Sequence, residues 1–315
     1  MMIRFGVAGF PPAFKESKYR KNRFDVLHWL VDLQLDAFEL QMTYGPRMTA
    51  ENCVLFRQMS EATGVRLSVH ASYFIVFTSD DPAKILQSED TLKRTYEAAE
   101  RLGARTIVLH PGPLYGASGS EPLERFVENT GNCLNSIGRT DIGLFVETAG
   151  KVGQLGSVDE ILEICTRLDG TFPCIDFGHV HARTLGTLED PAAVDAIASQ
   201  LELYLQSRDN LRIHFHYTPI HFGQRGEIQH RAIHDRYPPL AQQSLFGTST
   251  PGEQSRDGLF HPRVEPVAAA LARLCVASRM DFTVISETHD SQEEGAAALR
   301  DAVICHNLGT RLDAA

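Results

Sequence analysis

RLSVHAS (66–72), TIVLHPG (106–112), IGLFVETAG (142–150) and FPCIDFGHV (172–180) are four short apolar runs, and each closes on a residue able to bind a metal: His70, His110, Glu147 and Asp176. Runs apolar on both faces are the mark of strands in a parallel sheet covered by helices. Outward from them lie IRFGVAGF (3–10), AFEL (37–40), LRIHFHYT (211–218) and DFTVISET (281–288), which bring the number of predicted strands to eight. Between the strands, FDVLHWLVDL (24–33), ILQSEDTLKRTYEAAERLG (85–103), VDEILEICTRL (158–168) and VEPVAAALARLCVASRM (264–280) carry apolar residues at helical spacing. Ser157 is placed to cap the third of these, with Asp159 and Glu160 in its first turn, and Gly103 is placed to end the second. Eight strand–helix repeats predict a (β/α)8 TIM barrel over residues 1–315, an α/β fold in one domain. An open doubly wound sheet shares the alternation but gives no reason for metal-ligand residues at successive strand ends.

A chain that is 43% hydrophobic can bury a sizeable core. No stretch is long and apolar enough to span a bilayer, the start MMIRFGVAGFPP lacks the apolar run of a secretory signal, and the six cysteines form no CxxC pair. These features predict a reduced, cytoplasmic protein with no membrane partner and no obligate protein partner. The net charge of −10 disfavours a general affinity for polyanions, although local cations or bound metal can reverse that at a site. The segment DRYPPLAQQSLFGTSTPGEQSRDGLFHP (235–262) is rich in Gly, Pro and Ser, and a loop insertion is predicted at about 223–262, either a surface loop or a lid.

In a TIM barrel the chemistry sits at the carboxyl ends of the strands. The last six predicted strands end on His70, His110, Glu147, Asp176, His214 and Glu287. A single strand-end His is usually a hydrogen-bonded structural group. Six imidazoles and carboxylates at one rim are another matter, because clustered carboxylates repel and their burial is costly unless cations offset it. The set predicts a multinuclear metal site. His214 and His216 share a strand face, and loop spacing favours His214. His181, His221 and His234 read as supporting or surface residues.

HASYFI (70–75), LHPG (109–112), ETAGK (147–151), CIDFGH (174–179), HFHYTPIHFGQRGE (214–227) and SETHD (286–290) together resemble the endonuclease IV family of apurinic/apyrimidinic endonucleases, within the xylose-isomerase-like barrels. The resemblance covers nearly the whole chain. It implies that His70 and His110 hold a first zinc, that Glu147 bridges it to a second, and that Asp176, His214 and Glu287 complete the second. A third zinc would take His179, Glu227 and a further His. Gln229 stands where that His is expected, so the resemblance leaves either His230 as a substitute or a weakened third site. Tyr73 and Arg47 would contact the substrate, although Val76 and Phe77 depart from the family's pattern and Arg47 is the one cation of QMTYGPRMTAEN (41–52).

The activity this implies is metal-dependent hydrolysis of DNA 5′ to abasic sites in base excision repair, with Glu147 as the catalytic residue and zinc, or manganese in its place, as the cofactor. The alternative is a single-metal sugar isomerase or epimerase of the same superfamily acting on a small sugar or sugar phosphate. There Glu147 and Glu287 would be the acid–base pair. A metal-holding protein without catalysis is the third reading.

Overall fold

The computed structural model describes residues 2–117, 119–207, 211–237 and 258–312. Eight parallel strands close into a barrel: β1 (Ile3–Ala8), β2 (Ala37–Gln41), β3 (Arg66–His70), β4 (Thr106–Leu109), β5 (Gly143–Glu147), β6 (Thr171–Asp176), β7 (His214–Tyr217) and β8 (Phe282–Ser286). Each pairs with its neighbours in sequence order, and β1 pairs with β8 to complete the ring. Closure leaves no strand edge exposed. At Gly6 the first two strands approach so closely that a Cβ would stand 1.9 Å from the Ala37 carbonyl oxygen.

The helices expected from periodicity form at Val26–Asp32, Pro82–Leu102, Val158–Arg167 and Val264–Ser278. Ser157 makes a reciprocal capping box with Glu160, and Gly103 ends its helix in the left-handed conformation at φ 70°. The main apolar core joins the outer faces of the barrel strands to the helices and includes Phe38, Phe56, Phe126 and Phe215, all fully buried. No helix among the described residues is long and apolar enough to cross a membrane. All six cysteines are free.

Two short antiparallel ribbons decorate the carboxyl end of the barrel: Gly112–Pro113 with Gln154–Leu155, and Ile220–Gly223 with Gly226–His230. The second corrects the expectation of a loop from about residue 223, because residues 226–230 are paired in a hairpin. Whether the rest of the insertion is a lid falls largely on residues 238–257, outside the described residues.

Candidate metal centre

Parallel strands share one direction, so His70 at the end of β3, Glu147 at the end of β5 and Asp176 at the end of β6 reach the same mouth. His110 and Glu287 follow β4 and β8 by one residue. Glu147 is fully buried at the centre. Its Oε2 lies 3.1 Å from His70 Nε2 and 3.2 Å from His110 Nε2; its Oε1 lies 3.0 Å from His216 Nδ1 and 3.3 Å from His179 Nδ1. One carboxylate thus faces two clusters of nitrogen donors.

Register decides between the two histidines of β7. His214 stands opposite Cys174 and Thr283, below the mouth, whereas His216 stands opposite Asp176 and Ile285. His216 Nδ1 is also 3.7 Å from Glu287 Oε1. The expectation for His214 is therefore corrected: His216 reaches the mouth, and His214 Nε2 sits 3.1 Å from Glu39 Oε2 one layer deeper. Loop spacing misled because β7 runs on to Tyr217 rather than ending at His214.

The third cluster is His179, Glu227 and His230. Asp176 caps the helix Phe177–Arg183 by accepting from the His179 backbone N–H at 2.7 Å, which fixes His179 one turn above the strand. His179 Nε2 lies 3.7 Å from Glu227 Oε2, and His230 Nε2 lies 3.5 Å from Glu227 Oε1. Gly150 makes room for this approach: a Cβ there would stand 2.8 Å from Glu227.

The hairpin explains how His230, rather than Gln229, comes to face Glu227. Glu227 pairs with Phe222 and Gln229 with His221, and the register shifts between them. Two residues, Glu227 and Ile228, thus precede Gln229 where regular pairing would allow one. Such a bulge slips the alternation of faces by one residue. His230 shares the side of Glu227, and Gln229 is exposed.

Several rings are fixed by carbonyl oxygens, which can only accept. His70 Nδ1 donates to Ala71 at 2.9 Å and His230 Nδ1 to Glu287 at 3.0 Å, leaving each Nε2 as the free donor atom towards its cluster. His179 Nδ1 likewise donates to Thr148 at 3.0 Å. Burial opposes a charge on His70, yet Glu147 outweighs it and raises the imidazole to about 9. Burial instead lowers His110 to about 3. Burial pushes the Glu287 carboxyl up, whereas His110 and His216 overcome burial at Glu147 and hold it well below the usual range.

These donors fit divalent metal ions. Among the described residues no Lys or Arg pairs with Glu147, Asp176, Glu227 or Glu287, and the buried Oδ2 of Asp176 has no hydrogen-bond partner. Imidazole nitrogens and carboxylate oxygens are the ligands of zinc and manganese. Tyr73 stacks flat over His110 with ring centroids 5.5 Å apart, at the wall of the mouth. Arg47 lies outside it, in an adjoining groove. His181 packs against Phe222 and His261 rather than joining a cluster.

One residue has no counterpart among those expected from the sequence. Glu39 on β2 is fully buried, accepts from Ser68 Oγ at 2.8 Å, and places Oε1 3.1 Å from His216 Nε2, close but out of line for a hydrogen bond. Its signal was a charge inside the apolar run AFEL (37–40).

The family model described as xylose isomerase-like TIM barrel matches residues 27–242. The chain belongs to that family. An uncharacterized protein of Methanocaldococcus jannaschii is 27% identical over 75% of this chain and 83% of its own length. A probable endonuclease 4 of Oceanobacillus iheyensis is 32% identical, but the match covers only 41% of this chain and 46% of that relative. Among solved structures, endonuclease IV from Thermus thermophilus superposes with a TM-score of 0.60 at 18% identity, over 96% of this chain and 97% of that one. D-psicose 3-epimerase from Clostridium cellulolyticum superposes with a TM-score of 0.59 at 11% identity, over 99% of each chain. At such identities the superpositions show the shared barrel of the xylose isomerase-like family and leave the activity open.

Proposed function

We propose that this family member is a metal-dependent phosphodiesterase of the endonuclease IV type, cutting DNA 5′ to abasic sites as a cytoplasmic enzyme of base excision repair. The observation that carries the reading is the donor count: His70, His110, His179, Glu227 and His230 surround the quartet Glu147, Asp176, His216 and Glu287. A single-ion isomerase has use for the quartet alone.

In this reading His70, His110 and Glu147 hold one ion, Glu147, Asp176, His216 and Glu287 a second, and His179, Glu227 and His230 a third. Zinc is the proposed metal, with manganese as a substitute. When bound, the ions would supply Lewis-acid stabilisation of the phosphate and acidify the attacking water. Glu147 is proposed as the catalytic residue, because its two oxygens face separate clusters and its low pKa keeps it ionised as a proton acceptor. Tyr73, flat on His110 and 55% exposed, presents a ring face to a nucleotide turned out of the helix.

The test is incubation of the zinc-loaded protein with a duplex carrying one abasic analogue. A nick 5′ to the analogue is expected, falling about 100- to 10,000-fold in rate in Glu147→Gln. A duplex left intact by fully loaded protein would overturn the reading. One observation favours an epimerase as the second reading: Glu147 is held low and Glu287 is raised, the divergence expected of a base and acid sharing a proton shuttle. Solvent deuterium entering a ketose next to its carbonyl would support that alternative.

A further inference from the structure

A TIM barrel fills its interior with layers of four side chains, each layer drawn from alternate strands. Here Phe5, Leu67 and Ile213 face outwards into the core under the helices, so the alternation of faces turns Arg4, Arg66 and Arg212 inwards. Strand register sets these three at one level with Gly143 of β5, the lowest layer of the barrel, at the end opposite the metal mouth. Three guanidinium groups thus occupy a layer that branched apolar side chains usually fill. Gly143 makes room for one of them: a Cβ there would stand 2.8 Å from Arg212 Nη1 and 2.7 Å from the Phe172 ring.

Counter-charge at this floor is incomplete. Asp36 pairs with Arg4 at 3.0 Å and Asp141 with the neighbouring Arg105 at 2.9 Å, while Asp281 accepts from the Met2 backbone N–H at 2.8 Å. Among the described residues no carboxylate pairs with Arg66 or Arg212. Arg212 is held by other means: its guanidinium lies 5.0 and 5.2 Å from the ring centroids of Phe145 and Phe172 and donates to the carbonyls of Arg105 and Asp141. At Arg66 burial and then Arg4 outweigh Asp281 and Asp36, and at Arg212 burial, Arg66 and Arg105 outweigh Asp141, so both are held below the usual range. An arginine does not give up its proton in a protein, so this mutual repulsion persists until an anion relieves it.

Ring stacking and carbonyl contacts account for Arg212 without a ligand, but nothing of the kind holds Arg66, which is exposed and can be reached from solvent. Two unanswered guanidinium charges match one phosphoryl dianion, and the planar fork of arginine donates paired hydrogen bonds to phosphate oxygens. A single carboxylate would leave one of the two charges unanswered. We infer that the floor of the barrel is a second binding site, separate from the metal mouth, that takes a phosphoryl group on Arg66 and Arg212. That group belongs either to inorganic phosphate or to the end of a phosphate monoester. The inference is independent of the activity proposed for the mouth, since the two ends of the barrel share no residue.

Isothermal titration calorimetry of the metal-loaded full chain tests it, with inorganic phosphate and phenyl phosphate as separate titrants. The expected result is a site whose affinity falls about 10- to 100-fold in Arg66→Ala, the loss that follows from removing charge-assisted hydrogen bonds. Arg66 is exposed, so circular dichroism should show the fold unchanged. Arg66→Lys keeps the charge without the fork and should bind with an affinity between the two. Tight binding of phenyl phosphate makes the ligand a monoester, and binding of inorganic phosphate alone makes it the free ion; both keep the site. Phosphate held instead by the metal ions would bind Arg66→Ala and the parent alike. That equality, or a parent that binds neither anion, would overturn the inference. Nicking of an abasic duplex should be the same in Arg66→Ala as in the parent, so a failure of the proposed activity and a failure of this site are read apart.

Discussion

Glu39 shows how a single side chain can organise the histidines of a candidate metal site. With no exposure to water it could not remain ionised unaided; burial raises its carboxyl, but His216 and His214 outweigh that and hold it far below the usual range. In return its Oε1 faces the nitrogen of His216 that points away from the mouth, leaving Nδ1 towards Glu147. Carboxylates behind metal-binding imidazoles fix ring orientation, and their loss typically costs about 10- to 100-fold in metal affinity. Glu39→Ala should therefore weaken metal binding by about that factor. It should also lower unfolding stability by about 3–5 kcal/mol, because two imidazoles would be left in the core without their carboxylate. Glu39→Gln keeps the shape and should lose less on both counts. Denaturant unfolding and metal titration of the two variants check this, and normal affinity in Glu39→Ala would refute it. The strand-end residues His70, His110 and Glu147 were readable because each is a polar residue closing an apolar run. Glu39 was not read because it lies inside such a run, and the His214/His216 choice needed a register that only strand pairing fixes.

At the scale of the element, the hairpin Ile220–Gly223/Gly226–His230 brings His230 beside Glu227, where regular alternation would have set Gln229. Read at regular alternation, Glu227 and Gln229 share a side and His230 points away; the bulge at Ile228 reverses this for His230. The sequence contained every residue of the cluster, yet a bulge is set by which cross-strand pairs form, and no periodicity reveals it. Inserting one residue between His221 and Phe222 should give Ile228 a cross-strand partner and restore regular pairing, bringing Gln229 to the side of Glu227 and turning His230 outwards. The expected result is loss of one metal equivalent of three, with the two equivalents around Glu147 retained. Gln229→Ala, exposed and off the cluster, should lose none. Metal analysis after reconstitution decides the point, and an unchanged metal content in the insertion variant would remove the bulge from the account.

Barrel closure brings five carboxylates, Glu39, Glu147, Asp176, Glu227 and Glu287, to one end of the molecule, and among the described residues the only titratable cations that pair with them are imidazoles. That arrangement ties the stability of the whole fold to protons in one direction and to metal in the other. A group whose pKa is raised on folding adds stability below its unfolded value and loses it as pH climbs through the folded value. His70, raised from 6.5 to about 9, should therefore make the metal-free barrel progressively less stable between those limits; His179, His216 and His230 are raised as well and act in the same sense. His110, lowered to about 3, is neutral throughout this window and contributes nothing to the slope. Metal binding runs the opposite way, because an ion must displace the proton held by His70. Affinity should rise by about tenfold per pH unit for each proton displaced from pH 7 to 9, then level. Saturation at about 100 times Kd should add about 2.7 kcal/mol per site, so chelator and metal melting curves should diverge as pH rises. Melting temperatures with chelator and with zinc across this window test the divergence, and calorimetry in two buffers of different ionisation enthalpy counts the protons released. Parallel melting curves with no proton release at pH 7 would show that these imidazoles are not the ligands.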